Sequence, residues 1–310
     1  MNKNLSFYDQ EGLCEHLFQE QGPFWHICTP ENHPVLFSGD SDYRIAVNAL
    51  GISALMIPSI RVITFQAMSN HLHELVSGPL DDCLKQIEIA KKLIKNGFVA
   101  VGRTVDFSGF TPKPFAVDSL SYLRNTIAYI NRNAYVVNVG ETPFSSLWGA
   151  NRFFFNPDLV QCHKALQQPA GVRQLRELTH SRIADRASSV FLVNGVVTPT
   201  CFCDFACGES VFRNARNYFS SISRAIESHK DIARMIGEAI FYSDDDLFVI
   251  LRKVLQDQYN GRDVMVLTTD EKTVLAKLFH YDYNAGNRQI ARLVKLDIRV
   301  INQLFPLSAR

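Results

Sequence analysis

The chain has 310 residues, of which 46% are hydrophobic and 20% charged, with 22 Phe, 10 Tyr and 2 Trp. That supply of apolar surface excludes an intrinsically disordered chain, and the length fits two domains or one large domain with an appendage. A net charge of +1 excludes a non-specific coat for polyanions, and any nucleic-acid site must be a local patch, mainly in the second half: residues 1–150 carry 11 basic against 14 acidic side chains, residues 151–310 carry 21 against 17.

The most apolar stretch, Ile45 to Pro58, is interrupted by Asn48 and Ser53 and followed by Arg61. It falls short of the ~20 apolar residues a membrane span needs, so no membrane partner is expected. The first residues lack a signal peptide's apolar core, so the seven cysteines are expected to be reduced thiols in a cytoplasmic protein.

In chain order, Trp25 to Thr29 reads as a short strand ending at Pro30, and Pro34 to Phe37 leads into a turn. Asp40 and Ser41 can cap a helix through Tyr43, Ala46, Leu50 and Leu55. Ile60 to Phe65 reads as a buried strand, Met68-Ser69-Asn70 as a turn, and His71 to Val76 as a second strand. A helix is expected from Asp81 to Asn96, then a loop at Thr111-Pro112-Lys113-Pro114, then a helix from about Asp118 to Asn133. This alternation predicts an α+β domain with an antiparallel sheet over residues 1–150. A mostly helical region is expected at 151–267, and a separate segment at 268–310.

Two patterns carry chemistry. In a strand, side chains alternate faces, so His71 and His73 share one face and can hold one divalent cation, while Glu74 points away. Alone, a His-x-His pair is most often structural. In the helix after Asp118, Leu120, Leu123, Ile127, Ile130 and Ala134 form the core stripe. Tyr129 and Asn133, four residues apart, lie one turn from each other and can address one ligand.

Together these stretches resemble a known group. Phe65-Gln66-Ala67-Met68-Ser69-Asn70-His71-Leu72-His73-Glu74-Leu75-Val76 resembles the His-hydrophobic-His strand of single-tyrosine HUH transposases. Tyr129-Ile130-Asn131-Arg132-Asn133-Ala134 is similar to the tyrosine helix of the REP-associated tyrosine transposases, and Pro143-Phe144-Ser145-Ser146-Leu147-Trp148 to that group's Ser-Ser stretch. The resemblance covers about residues 25–150. It departs from the group at Ala134, where a Pro is usual, and at Glu74, where an apolar residue is usual.

The resemblance implies a ferredoxin-like antiparallel sheet of the HUH endonuclease type. It implies Tyr129 as nucleophile, and His71, His73 and Asn133 as ligands of Mg2+ or Mn2+. Single-stranded or hairpin DNA would be cleaved and rejoined through a 5′-phosphotyrosine, by a monomer or a homodimer. A domesticated DNA-binding regulator that keeps the fold without cutting is the alternative, and a metallohydrolase using the His pair is a third reading.

At the C-terminal end, Ile290, Ala291, Leu296, Val300 and Leu304 match a helix-turn-helix core, and residues 268–310 hold seven basic against four acidic side chains. Arg299, Asn302 and Gln303 would then approach bases of duplex DNA while Arg288 and Arg292 touch phosphates. Cys201, Cys203 and Cys207 lack zinc-knuckle spacing and read as buried thiols.

Overall fold

The computed structural model describes residues 7–30, 35–137, 144–223, 232–233, 242 and 244–306. Pro34 and Pro143 of the sequence reading lie outside them. The chain divides into two compact units, residues 1–134 with 141–223 and residues 135–140 with 224–310, whereas the sequence reading draws its boundaries at 150 and 267. Among the described residues, no helix is long and apolar enough to cross a membrane.

The first unit is built on β1 (Phe24–Cys28), α2 (Asp40–Leu55), β2 (Arg61–Ala67), β3 (Leu72–Ser77), α3 (Leu80–Ala100), β4 (Lys113–Val117) and α4 (Leu120–Val137), preceded by α1 (Phe7–Gln21). The four strands form one antiparallel sheet in the order β2-β3-β1-β4. Strand β4 corrects the loop expected at Thr111–Pro114. Pro114 can belong to a strand here because β4 is an edge, where a missing N–H breaks no interior ladder.

The two faces of the sheet follow from its register. His73 pairs with Cys28 and Gln66, and Leu75 with His26 and Thr64, so these six residues share one face. A bulge between Val62 and Thr64 sets the phase that puts Thr64 and Gln66 there. Helix α4 covers this face: Thr64 Oγ1 donates to Asn131 Oδ1 at 2.5 Å, and both groups are buried.

Helices α2 and α3 lie on the other face. They pack closely because Gly97 leaves room for Ile45. The Gln86 amide on α3 donates to Ser53 Oγ on α2 at 3.0 Å and to Glu74 Oε1 on β3 at 3.3 Å. The start of α2 differs from the expected Asp40 or Ser41 cap. Gly39 occupies the cap position with no side-chain bond, and Asp42 instead accepts from the Ser38 backbone and hydroxyl and pairs with Arg103.

Residues 144–223 complete this unit with short helices at Pro157–Leu166, Val172–Thr179, Phe205–Ser210 and Ala215–Ser223. They also contain a second antiparallel sheet, β5 (Gln168–Pro169), β6 (Phe191–Val193) and β7 (Val196–Val197), which the expectation of a mostly helical region omits. Asn194 and Gly195, both at positive φ, make the tight turn between β6 and β7. Of the three thiols expected to be buried, Cys207 is buried and Cys201 and Cys203 are half-buried; desolvation raises the pKa of all three, that of Cys207 to about 12.

The second unit holds helices at Asp244–Gln258, Thr269–Tyr281, Asn287–Val294 and Ile298–Leu304. Leu247, Leu251, Leu275, Phe279, Ile290 and Leu293 form its core. Thr268 and Glu271 close a reciprocal cap at the start of the second helix. Lys295, in the left-handed region at φ 54°, ends the third helix, and Asp297 caps the fourth.

Candidate active site

The residues singled out from sequence converge on one face of the first sheet. His71 precedes β3, His73 lies on it, and Tyr129 and Asn133 come from α4. His71 Nε2 lies 3.0 Å from His73 Nε2, and the Asn133 amide nitrogen lies 3.0 Å from the same atom. The Tyr129 ring meets the His73 ring edge-on, with centroids 5.8 Å apart and planes at 89°. Tyr129 is 6% exposed and His73 fully buried.

Helix α4 reaches this position through a buried chain of hydrogen bonds. Beyond Thr64 and Asn131, the Asn131 amide donates to the Tyr218 hydroxyl at 2.7 Å, and that hydroxyl donates to Asn151 Oδ1 at 2.5 Å. Of the expected apolar stripe, Leu120, Leu123, Ile127 and Ile130 are buried and Ala134 is half-buried. Asn131 fixes the rotation of the helix, and the i, i+4 spacing then sends Tyr129 and Asn133 toward the histidines.

One member was not apparent from sequence. His26 on β1 is fully buried, and its Nε2 lies 3.1 Å from His73 Nδ1. It stands diagonally across from His73, two residues along the β1–β3 register from His73's partner Cys28 and on the same face. Its ring is also 6.2 Å from that of Tyr129. On the other side, His71 Nδ1 lies 2.7 Å from Asn70 Oδ1.

Burial pushes the His73 imidazole pKa down to about 3, which keeps it neutral with a lone pair to offer. Glu74 does point to the opposite face, against Gln86, where burial pushes its carboxyl up to about 8. Tyr122 is half-buried, and its phenol is pushed upward by burial first and then by Asp118 and Cys28.

Among the described residues, no group of three or more His, Cys, Asp or Glu side chains is placed to hold a metal ion. The set here is instead two imidazoles and an amide. Octahedral ligands about 2.1 Å from an ion are separated from their neighbours by about 3.0 Å. The two donor separations around His73 Nε2, each 3.0 Å, match that edge. Turning the Asn133 amide over presents its oxygen in place of its nitrogen. Two imidazole nitrogens with one amide oxygen suit Mn2+ better than Mg2+, which favours an all-oxygen shell.

In the second unit, Arg288, Arg292, Arg299, Asn302 and Gln303 are all exposed. Arg292 pairs with Asp244 at 2.7 Å, Arg299 with Asp297 at 2.7 Å, and Asn302 Oδ1 accepts from Asn287 at 2.9 Å. The expected core register needs correction at Val300, which is 37% exposed. Ile301 and Phe305, one turn apart, are buried in its place.

Comparison with known proteins finds no matching family model, no matching curated protein and no matching solved structure.

Proposed function

We propose that this chain is a metal-dependent transposase that cleaves and rejoins single-stranded DNA through Tyr129. The observation that carries this reading is the meeting of Tyr129 and Asn133 from α4 with His71 and His73 at β3: His71 Nε2 and the Asn133 amide lie at His73 Nε2, and the Tyr129 ring lies against the His73 ring. The strand order β4-β1-β3-β2, with helices between β1 and β2 and between β3 and β4, supports a ferredoxin-like sheet of the HUH type.

His71, His73 and Asn133 would hold Mn2+ or Mg2+, which when bound supplies positive charge that polarises the scissile phosphate. The Tyr129 oxygen forms a bond to phosphorus as the bond from phosphorus to the 3′ oxygen breaks. In net terms the phenolic proton passes to the released 3′ hydroxyl, and the 5′ phosphate stays on the tyrosine. The reverse step, with a different 3′ hydroxyl, joins strands and needs no external energy source. His73, neutral through burial, offers a lone pair across the working pH range.

Duplex DNA is the proposed partner of the second unit. Its last two helices are joined by Lys295, Leu296 and Asp297, and the second exposes Arg299, Asn302 and Gln303, as a helix-turn-helix requires.

The test is incubation of the full chain with single-stranded and hairpin oligonucleotides and MnCl2, followed by a denaturing gel. A protein–DNA adduct that disappears in Tyr129→Phe, with oligonucleotide binding retained, supports the reading. Oligonucleotide binding without any adduct overturns it in favour of a non-catalytic DNA-binding regulator. An adduct that survives in Tyr129→Phe moves the nucleophile elsewhere, with Tyr122 next in line.

A further inference from the structure

The two ring nitrogens of His73 face different partners: Nε2 faces His71 Nε2 and the Asn133 amide, each at 3.0 Å, and Nδ1 faces His26 Nε2 at 3.1 Å. For the Nε2 atoms of His71 and His73 to give their lone pairs to a cation, each ring must carry its proton on Nδ1. On His71 that proton is accepted by the amide oxygen of Asn70 at 2.7 Å, and on His73 it is accepted by His26 Nε2.

We infer that His26 is a positioning residue that fixes the tautomer of His73, as Asn70 does for His71, so that both Nε2 lone pairs turn toward one cation site beside Tyr129. This rests on the metal-dependent reading above and adds to it the layer behind the ligands. Metal-binding histidines are commonly oriented by an acceptor on the second ring nitrogen, and loss of that acceptor commonly costs ten- to a hundred-fold in affinity. Here that acceptor is a buried imidazole on the neighbouring strand. His26 and Asn70 carry no negative charge, so the ion keeps its full charge toward an anionic ligand such as a phosphodiester. A carboxylate in their place would cancel part of it.

The experiment titrates the full chain with Mn2+ alone, reading free Mn2+ by electron paramagnetic resonance. Wild type, His73→Ala, His26→Phe and His26→Gln are compared. The expected result is binding by wild type, none by His73→Ala, and at least a tenfold weaker affinity in His26→Phe. His26→Gln, whose amide oxygen can accept the same proton, should return to within about threefold of wild type. Unchanged affinity in His26→Phe, or an equal loss in both His26 variants, overturns the role of His26 and leaves the metal reading standing. A wild type that binds no Mn2+, or His73→Ala binding as well as wild type, overturns the metal reading and this inference with it. A second measurement needs no variant: nitrogen-15 NMR of histidine-labelled wild type saturated with diamagnetic Mg2+ should place the His73 proton on Nδ1. A proton on Nε2 refutes the assignment.

Discussion

Asn131→Ala tests whether the buried chain of hydrogen bonds holds α4 over the sheet. The substitution removes the acceptor of the Thr64 hydroxyl at 2.5 Å and the donor to the Tyr218 hydroxyl at 2.7 Å. Thr64 is fully buried, so its hydroxyl is left unpaired at a cost of about 1–3 kcal/mol. Tyr218 keeps its bond to Asn151, so the second loss is the net worth of one hydrogen bond, about 1 kcal/mol. The expected destabilisation is about 2–4 kcal/mol, with the lower end reached if water enters the vacated space. Urea unfolding followed by tryptophan fluorescence is a suitable assay, because Trp25 and Trp148 are the two tryptophans of the chain and both belong to the first unit. A loss below about 0.5 kcal/mol would refute the claim that this network fixes α4.

Glu74→Gln should change the pH dependence of stability. The Glu74 carboxyl is held up to about 8 in the fold against 4.5 as its ordinary value, so between those values the native chain keeps a proton that the unfolded chain has lost. Stability therefore falls as pH rises through that window, and Glu74→Gln should remove the fall and be more stable than wild type at pH 9 by about 2 kcal/mol or more. Equal slopes between pH 6 and pH 9 in both proteins would contradict this. His73 works in the opposite sense: its folded value of about 3 lies below the ordinary 6.5, so its contribution is complete above pH 6.5 and is lost on acidification. Replacing both His71 and His73 by Ala should abolish any rise in melting temperature on adding Mn2+, read by differential scanning fluorimetry; an undiminished rise would place the ion elsewhere. Arg288→Ala should weaken duplex DNA binding and lower its salt dependence by about one counterion, and an unchanged salt slope would remove Arg288 from the phosphate contacts.

The local periods of the chain carry most of the proposed site. Strand alternation puts His71 and His73 on one face and Glu74 on the other, and helical spacing pairs Tyr129 with Asn133. His26 is hidden because its place beside His73 depends on how β1 registers against β3, which no local pattern encodes. Strand β4 is obscured by Pro112 and Pro114, residues that mark loops everywhere except at a sheet edge. The β6–β7 hairpin was readable in Val193-Asn194-Gly195-Val196, where Asn-Gly between β-branched residues is a strong turn signal. In the last helix, Val300 and Ile301 are chemically interchangeable as core residues. Only the phase set by the Asp297 cap buries Ile301 and exposes Val300.

The central claim concerns one oxygen atom, and mass spectrometry of the trypsin-digested DNA adduct examines it directly. Cleavage after Arg124 and Arg132 releases the peptide of residues 125–132, whose single tyrosine is Tyr129. That peptide should carry the mass of a nucleotide joined through its 5′ phosphate, with fragmentation placing it on the tyrosine. The unmodified peptide, with the nucleotide found on any other residue, would contradict the account.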